Sequence, residues 1–332
     1  LNCNMNCKYC YEKCLSYTNQ SISDKLIKYL QCLPTIQPFV KDEPIKILFW
    51  GGEPLLYLDV IKHIVSNLEG LPYIFGTVSN GTLFTDEIVD YFNQHKIGVS
   101  ISNDGVNTKL TRKINVLEMQ KQLAVLRRLD NVYIDSVVSA YNYDYLRTCA
   151  YVYDKFQKEI SIAFEWLHCD KNTPNDLYNI DYTEFESCID RYLQVIEQDI
   201  KNGYYSSRVH GMLSDINAVT KADSQPVKLF PRCGQMRGSL NLDLQGNVMA
   251  CHPAGKLGNV DSDYRDMLDL YDKKYNQAFS FADCGTCEWL KVCRGGCPLE
   301  LPCEGKLAIC KARNIYYSKI KELFSKQVII DD

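Results

Sequence analysis

Within its first ten residues the chain places Cys3, Cys7 and Cys10, a C-x3-C-x2-C spacing that confines three thiols to one short loop. Three thiolates can hold three irons of a [4Fe–4S] cube and leave the fourth iron open, an arrangement that four-cysteine ligation forbids. An open iron can bind and reduce a small molecule instead of only relaying electrons. Three other readings compete: a zinc site, part of a disulfide framework, or coincidence. Disulfide scaffolds are short secreted chains, whereas this one has 332 residues. Zinc would normally add a fourth Cys or His at finger-like spacing. Cys14 is near, but the first histidine is His63.

A second motif narrows the choice. Pro44-Ile45-Lys46-Ile47-Leu48-Phe49-Trp50 reads as a buried strand running directly into Gly51-Gly52-Glu53-Pro54. In α/β folds the carboxyl end of a parallel strand is where ligands bind. Two glycines there allow close backbone approach and backbone angles closed to other residues. Glu53 offers a carboxylate to an ammonium group, and Pro54 starts the next helix with its fixed φ.

Together these residues resemble the radical S-adenosylmethionine (SAM) enzymes, in the subgroup with a C-terminal SPASM domain that modifies peptides and proteins. The resemblance covers nearly the whole chain. It implies that Cys3, Cys7 and Cys10 hold the SAM-binding cluster, with Tyr9 at the motif's aromatic position. By the same resemblance, Gly51, Gly52, Glu53 and Pro54 contact the methionyl amino group. Asn80 and Gly81 match the segment near the ribose. Ser102, opening Ser102-Asn103-Asp104-Gly105, would reach the SAM carboxylate, and Arg112 is a second candidate for it.

The cysteines near the other end carry the most specific pattern. Cys284, Cys287, Cys293 and Cys297 run C-x2-C-x5-C-x3-C, with Cys233, Gly246 and Cys251 upstream and Cys310 downstream. The resemblance implies one auxiliary [4Fe–4S] cluster on Cys284, Cys287, Cys293 and Cys310. It implies another on Cys233, Cys251 and Cys297. A zinc-ribbon scaffold is the competing reading, since C-x2-C pairs suit tetrahedral zinc. Family members with two fully ligated auxiliary clusters carry a further cysteine shortly before the position of Cys233, and Ala222 to Arg232 contains none. The cluster nearer the barrel is therefore expected to keep an open iron, able to take a substrate thiolate, unless Cys303 completes it. Cys32 and Cys188 fall at apolar helix positions and read as small core residues.

Length suggests two domains. From Ser21 to about Cys169 strands and helices alternate, the pattern of parallel βα units. Strand-like runs are 45–50, 73–78, 98–102, 132–139 and 160–167, and helical runs are 23–33, 56–68, 86–96, 116–129 and 143–158. The expected fold class is α/β, a partial (β/α)6 TIM-like barrel with a C-terminal cysteine-rich SPASM domain. Its first strand would precede Cys3, so the sequence reads as a fragment or a trimmed chain. The expected domains are 1–180 for the partial barrel, 181–225 for a helical bridge and 226–332 for the SPASM domain. An amphipathic helix is expected over 181–202, a hairpin turning at Gly246-Asn247 within 239–251, and a last helix over 310–325.

A formal charge of −4 provides no basic surface for nucleic acid. No run of eighteen apolar residues exists to span a membrane, and no signal peptide is read at the start. Sixteen cysteines in metal-type spacing imply a reducing cytoplasm. What the resemblance implies for chemistry is reductive cleavage of SAM to methionine and a 5′-deoxyadenosyl radical, which abstracts hydrogen from a peptide. The reductant would be a flavodoxin or ferredoxin, and three [4Fe–4S] clusters would be bound. The expected product is a thioether or carbon–carbon cross-link. Alternatives are an anaerobic sulfatase maturase that makes formylglycine, and a non-catalytic iron–sulfur electron carrier.

Overall fold

The computed structural model describes residues 2–14, 21–36, 43–222, 236–251, 254–275, 284–297 and 303–324. Five parallel strands form one sheet in the order β1 (Ile45–Phe49), β2 (Tyr73–Ser79), β3 (Gly98–Ser102), β4 (Val132–Val138) and β5 (Ile162–Trp166). Sequential neighbours pair in register, Ile47 with Phe75, Thr77 with Val99, and Val99 with Val132. Each crossover carries helix: α2 (Leu58–Asn67), α3 (Asp86–Gln94), α4 (Thr108–Arg112) with α5 (Gln120–Leu126), and α6 (Tyr145–Phe156), while α1 (Asp24–Ile36) precedes β1. This is the strand–helix alternation of a partial βα barrel, as expected from the sequence.

The strands begin and end where their chemistry dictates. Thr85 and Asp144 cap α3 and α6 by accepting from the backbone N–H of Ile88 and Arg147, satisfying donors that the first helical turn leaves open. On one face of the sheet Ile45, Ile47, Phe49 and Phe75 pack against Leu26, Ile27 and Leu30 of α1 and Ile64 of α2. On the opposite face exposure is high: Leu48 is 40% exposed, Ile74 49% and Tyr133 48%. The expectation of a buried β1 is corrected here. β1 is an edge strand whose alternate residues Lys46, Leu48 and Trp50 are exposed, so only one of its faces is covered.

The buried face gives a direct test. The Tyr73 hydroxyl donates to the Leu30 carbonyl at 2.5 Å, and burial pushes its pKa from the usual 10 to about 12. A group kept neutral by the fold stabilises it below its unfolded pKa and loses that contribution as pH rises through its folded pKa. Stability is therefore expected to fall between pH 10 and about 12, and Tyr73→Phe should flatten part of that decline in thermal melts. The same substitution should cost about 1 kcal/mol at neutral pH through the lost hydrogen bond.

The chain divides into two compact units that interleave in sequence. One comprises residues 1–103, 112–135 and 235–271; the other comprises 104–111, 136–234 and 272–332. In the first, the short strands β6 (Asn241–Leu242) and β7 (Asn247–Met249) form the expected hairpin around Gly246, whose φ of 77° is open to glycine. A third strand, β8 (Lys256–Asn259), pairs with β7 and was not anticipated from sequence. The Ser23 N–H donates to the Leu244 carbonyl at 2.8 Å, and the Gln245 amide donates to the Ser21 carbonyl at 2.6 Å.

In the second unit α7 (Tyr182–Lys201) matches the expected helix, with Asp181 as its cap. α8 (Ser207–Thr220) lies within the expected helical bridge of 181–225; its buried Val209, Met212, Ile216 and Val219 keep helical spacing behind the Ser206 cap. α9 (Tyr264–Tyr275) falls mostly within the first unit, and α10 (Leu290–Cys293) is a single turn in the second. α11 (Glu304–Phe324) starts six residues earlier than expected. Gly305 is buried where an added Cβ would stand 2.8 Å from the Tyr178 ring and 3.0 Å from the Cys169 sulfur, so close packing holds the early turn in place. Tyr145 stacks on Phe164 at 4.0 Å between ring centres, and the Tyr316 hydroxyl donates to Asp215 at 2.9 Å.

Candidate cofactor site

The cysteine loop is stitched to the carboxyl ends of β1 and β2. The Glu53 N–H donates to the Asn2 carbonyl at 2.9 Å, and the Gly52 N–H donates to the Glu12 carboxylate at 2.7 Å. The Asn80 amide donates to the Asn4 side chain, and the Asn4 amide donates to the Thr82 hydroxyl, each at 2.8 Å. Gly51 and Gly52 have φ of 103° and 55°. A Cβ on Gly52 would stand 2.2 Å from the Asn2 carbonyl oxygen. The glycine pair thus lets the loop backbone lie directly on the strand end. Cys3 is exposed and Cys7 and Cys10 are half-buried, with the Cys10 N–H turned onto the Cys7 carbonyl at 3.3 Å.

Glu53 is the hub beneath the loop. Its side chain is fully buried. One carboxylate oxygen accepts from the Leu55 N–H at 3.2 Å and the Ser79 hydroxyl at 2.8 Å. The other accepts from the Asn80 N–H at 2.8 Å. Burial raises its pKa and the three hydrogen bonds oppose the rise. Three of roughly four acceptor positions are therefore engaged by the protein itself. Pro54 opens a 3-10 turn, Pro54–Tyr57, ahead of α2.

Ser102 ends β3 beside Asp135 in the sheet register. Arg112, 8% exposed, lays its guanidinium over the Tyr9 ring at 5.2 Å, so Tyr9 and Arg112 tie the loop to the end of α4. Asn103 donates its amide to Asn115 at 2.9 Å. Asp104 accepts from the Val137 N–H and the Thr111 hydroxyl in the second unit, so both residues build the turn after β3.

In the second unit Cys284, Cys287, Cys293 and Cys310 line one pocket enclosing about 390 Å³, open in part to solvent, together with Trp289, Arg313 and Tyr317. Burial pushes the Cys310 thiol up; Arg313 opposes that rise and Cys293 adds to it. Four soft thiols facing one space suit an iron–sulfur group. Among the described residues no three such donors converge on a single ion position, and the corners of a cube take ligands that stand farther apart. Cys297 accepts from the Lys306 ammonium through its carbonyl at 3.4 Å, and the Cys303 sulfur accepts from the Lys306 N–H at 3.4 Å. Cys251 follows β7 in the first unit. Cys233 lies outside the described residues.

Residues 1–147 match the sequence profile of the radical SAM superfamily. This chain carries a radical SAM domain. The radical SAM domain brings SAM and one [4Fe–4S] cluster as cofactors, and the loop of Cys3, Cys7 and Cys10 lies within it. The chain is 24% identical to a radical SAM cyclopropyl synthase, TigE, of Paramaledivibacter caminithermalis, over 89% of this chain and 65% of that protein. It is 24% identical to a cysteine-type anaerobic sulfatase-maturating enzyme of Clostridium perfringens, over 89% of this chain and 85% of that one. It spans 42% of molybdenum cofactor biosynthesis protein 1 of Dictyostelium discoideum, at 25% identity.

Among solved structures, the fold resembles anSMEcpe with bound AdoMet at a TM-score of 0.68, with 16% identity over 96% of this chain and 93% of that one. It also resembles Streptococcus suis SuiB bound to precursor peptide SuiA, at a TM-score of 0.53 and 17% identity over 89% and 69%. The five parallel strands, their helices and the cysteine-rich C-terminal part follow the α/β fold of these neighbours. Among the described residues no helix is long and apolar enough to cross a membrane.

Proposed function

We propose that this chain is a peptide maturase that installs a thioether or carbon–carbon cross-link. The observation that carries the reading is the cysteine loop fastened by Asn2, Asn4 and Glu12 onto Gly52, Glu53 and Asn80. Cys3, Cys7 and Cys10 would hold the cluster, and Gly51 to Pro54 would meet the amino group of SAM. Asn80 would meet its ribose, and Ser102 and Arg112 its carboxylate. When bound, the cluster would supply one-electron reduction, and SAM held at its open iron would yield methionine and a 5′-deoxyadenosyl radical. The residues of this chain would bind and orient, with the Arg112 guanidinium held over the Tyr9 ring.

The peptide reading is supported by the sulfatase-maturating enzyme, whose name specifies a protein substrate, and by anSMEcpe solved with the Cp18Cys peptide. TigE is a cyclopropyl synthase, and SuiB is solved with its precursor peptide. The pocket of Cys284, Cys287, Cys293 and Cys310 supports an auxiliary cluster. A second auxiliary cluster on Cys233, Cys251 and Cys297, with or without Cys303, completes the proposal. The domains are 1–180, 181–225 and 226–332, the setting is a reducing cytoplasm, and a flavodoxin or ferredoxin is the electron donor.

A second reading, formylglycine formation, is favoured by the extent of the match to the sulfatase-maturating enzyme, 85% of its length. Incubating the anaerobically reconstituted, reduced protein with SAM and candidate peptides separates the two. A peptide lighter by two hydrogens with no new carbonyl indicates a cross-link, whereas an aldehyde trapped by hydrazine indicates formylglycine. No 5′-deoxyadenosine under any condition would leave only the electron carrier.

A further inference from the structure

The pocket of Cys284, Cys287, Cys293 and Cys310 is also bordered by Trp289. Trp289 is 3% exposed, and its Nε1 is buried with no hydrogen-bond partner among the described residues. An indole nitrogen can only donate, and a buried donor left without an acceptor is costly. Such groups are rare in folded proteins and point to a partner that the protein itself does not supply. The backbone leaves this ring little freedom. The Trp289 carbonyl accepts from the Val292 N–H at 3.0 Å and the Cys293 N–H at 2.7 Å, at the start of α10. The Leu290 N–H donates to the Cys287 carbonyl at 3.1 Å, and the Cys287 N–H to the Cys284 carbonyl at 3.2 Å. Trp289 therefore sits in the same short run of turns as Cys284, Cys287 and Cys293, all in the second unit.

Other groups hold the indole without satisfying it. The Tyr317 ring packs against it with centroids 5.7 Å apart and planes tilted by 46°, and the Lys321 ammonium stands over it at 5.5 Å. Neither an ammonium nor the face of a tilted ring offers the lone pair that this in-plane N–H lacks. The pocket does, because thiolate and sulfide sulfurs accept hydrogen bonds once an iron–sulfur group is seated among the four cysteines.

We infer that the Trp289 indole N–H donates to a sulfur of the cluster held by Cys284, Cys287, Cys293 and Cys310, and so raises the reduction potential of that cluster. The inference rests on the proposed auxiliary cluster. Four thiolates make the cube net negative, and one-electron reduction adds to the negative charge. A donor at sulfur therefore stabilises the reduced form more than the oxidised form. Trp289 is no ligand to iron; it acts through the sulfur it holds. Reduction by the flavodoxin or ferredoxin then requires a milder donor than the four thiolates alone would allow.

The test is a potentiometric titration of the anaerobically reconstituted holoprotein, reduced with dithionite and followed by electron paramagnetic resonance. The signal missing when Cys284→Ala and Cys287→Ala are combined identifies the pocket cluster. Trp289→Phe keeps an aromatic ring but removes the donor. At a fixed potential the ratio of oxidised to reduced pocket cluster should rise roughly tenfold, a downward shift of about 59 mV for one electron. The sign is decisive, because water admitted by the smaller ring would stabilise the reduced form and move the potential upward. An unchanged or raised potential overturns the inference. Should Trp289→Phe fail to fold or to load iron, the unsubstituted protein labelled with nitrogen-15 in its indoles supplies the second arm. A nitrogen-15 coupling is expected on the pocket-cluster signal and should persist in Trp166→Phe; its absence, or its loss in Trp166→Phe, overturns the inference. If the double cysteine variant loses neither signal nor iron, the auxiliary cluster and this inference fall together. A cluster present but indifferent to Trp289 sinks the inference alone.

Discussion

Gly52→Ala is expected to leave a folded protein that has lost its amino-terminal cluster site, with iron content lower by about four atoms per chain, one cube's worth. Two independent effects add at this position. The backbone sits at φ 55°, which costs a side-chain-bearing residue roughly 1–2 kcal/mol. More severe is the neighbour: the new methyl would lie 2.2 Å from the Asn2 carbonyl oxygen and 2.9 Å from its carbon. Backbone atoms cannot rotate aside as a flexible side chain would, so the loop must lift. Lifting it breaks the bond from the Glu53 N–H to Asn2 and strains that from Gly52 to Glu12. Iron analysis and SAM binding after anaerobic reconstitution read the result directly. The pocket lined by Cys284 and its partners lies in the other compact unit and should keep its iron.

Glu53 gives the second large effect, and its two substitutions should separate. Glu53→Ala strips the Leu55 N–H, the Ser79 hydroxyl and the Asn80 N–H of their acceptor at once. Buried donors left in this way make a loss on the order of 4 kcal/mol the expected result in chemical unfolding. Glu53→Gln keeps the shape, but its amide group must face either the Asn80 N–H or the Leu55 N–H, donor against donor. A loss of about 2 kcal/mol is expected.

The pH dependence has a definite sign. Burial raises the Glu53 pKa above the usual 4.5, so the folded protein holds this proton more tightly than the unfolded chain does. The associated stability is present below pH 4.5 and is lost as pH rises through the raised value. The gap between wild type and Glu53→Gln should therefore narrow from pH 4.5 upward. A gap that widens would show that the hydrogen bonds, not burial, dominate.

Much of this was legible in the sequence because strands and helices announce themselves by period. The five strands fall where β-branched and aromatic residues cluster between turns, and Asp181 and Asn202 bracket α7 as its caps. The glycine pair and the cysteine spacing located the loop's attachment point. What sequence could not give is who holds Glu53. Ser79 and Asn80 lie 26 and 27 residues away, and no local pattern reports a contact across a crossover. The bounds of α8 inside the expected helical bridge were not legible because His210, Ser214, Asp215 and Asn217 dilute an apolar stripe that is still present. The early start of α11 depends on Gly305 fitting against Tyr178 and Cys169, a distant packing contact.

The interleaving of the two compact units has a practical consequence for anyone wishing to recombine this chain with its relatives. The polypeptide passes between them at residues 103/104, 111/112, 135/136, 234/235 and 271/272. The hairpin that leads to Cys251 is bonded to residues 21–23, although more than two hundred positions separate them. A chimera joined at one crossover near residue 226 would import a foreign hairpin onto a native α1, severing those bonds. Viable hybrids are expected to need 235–271 transplanted together with 1–103 and 112–135, and 272–332 together with 104–111 and 136–234.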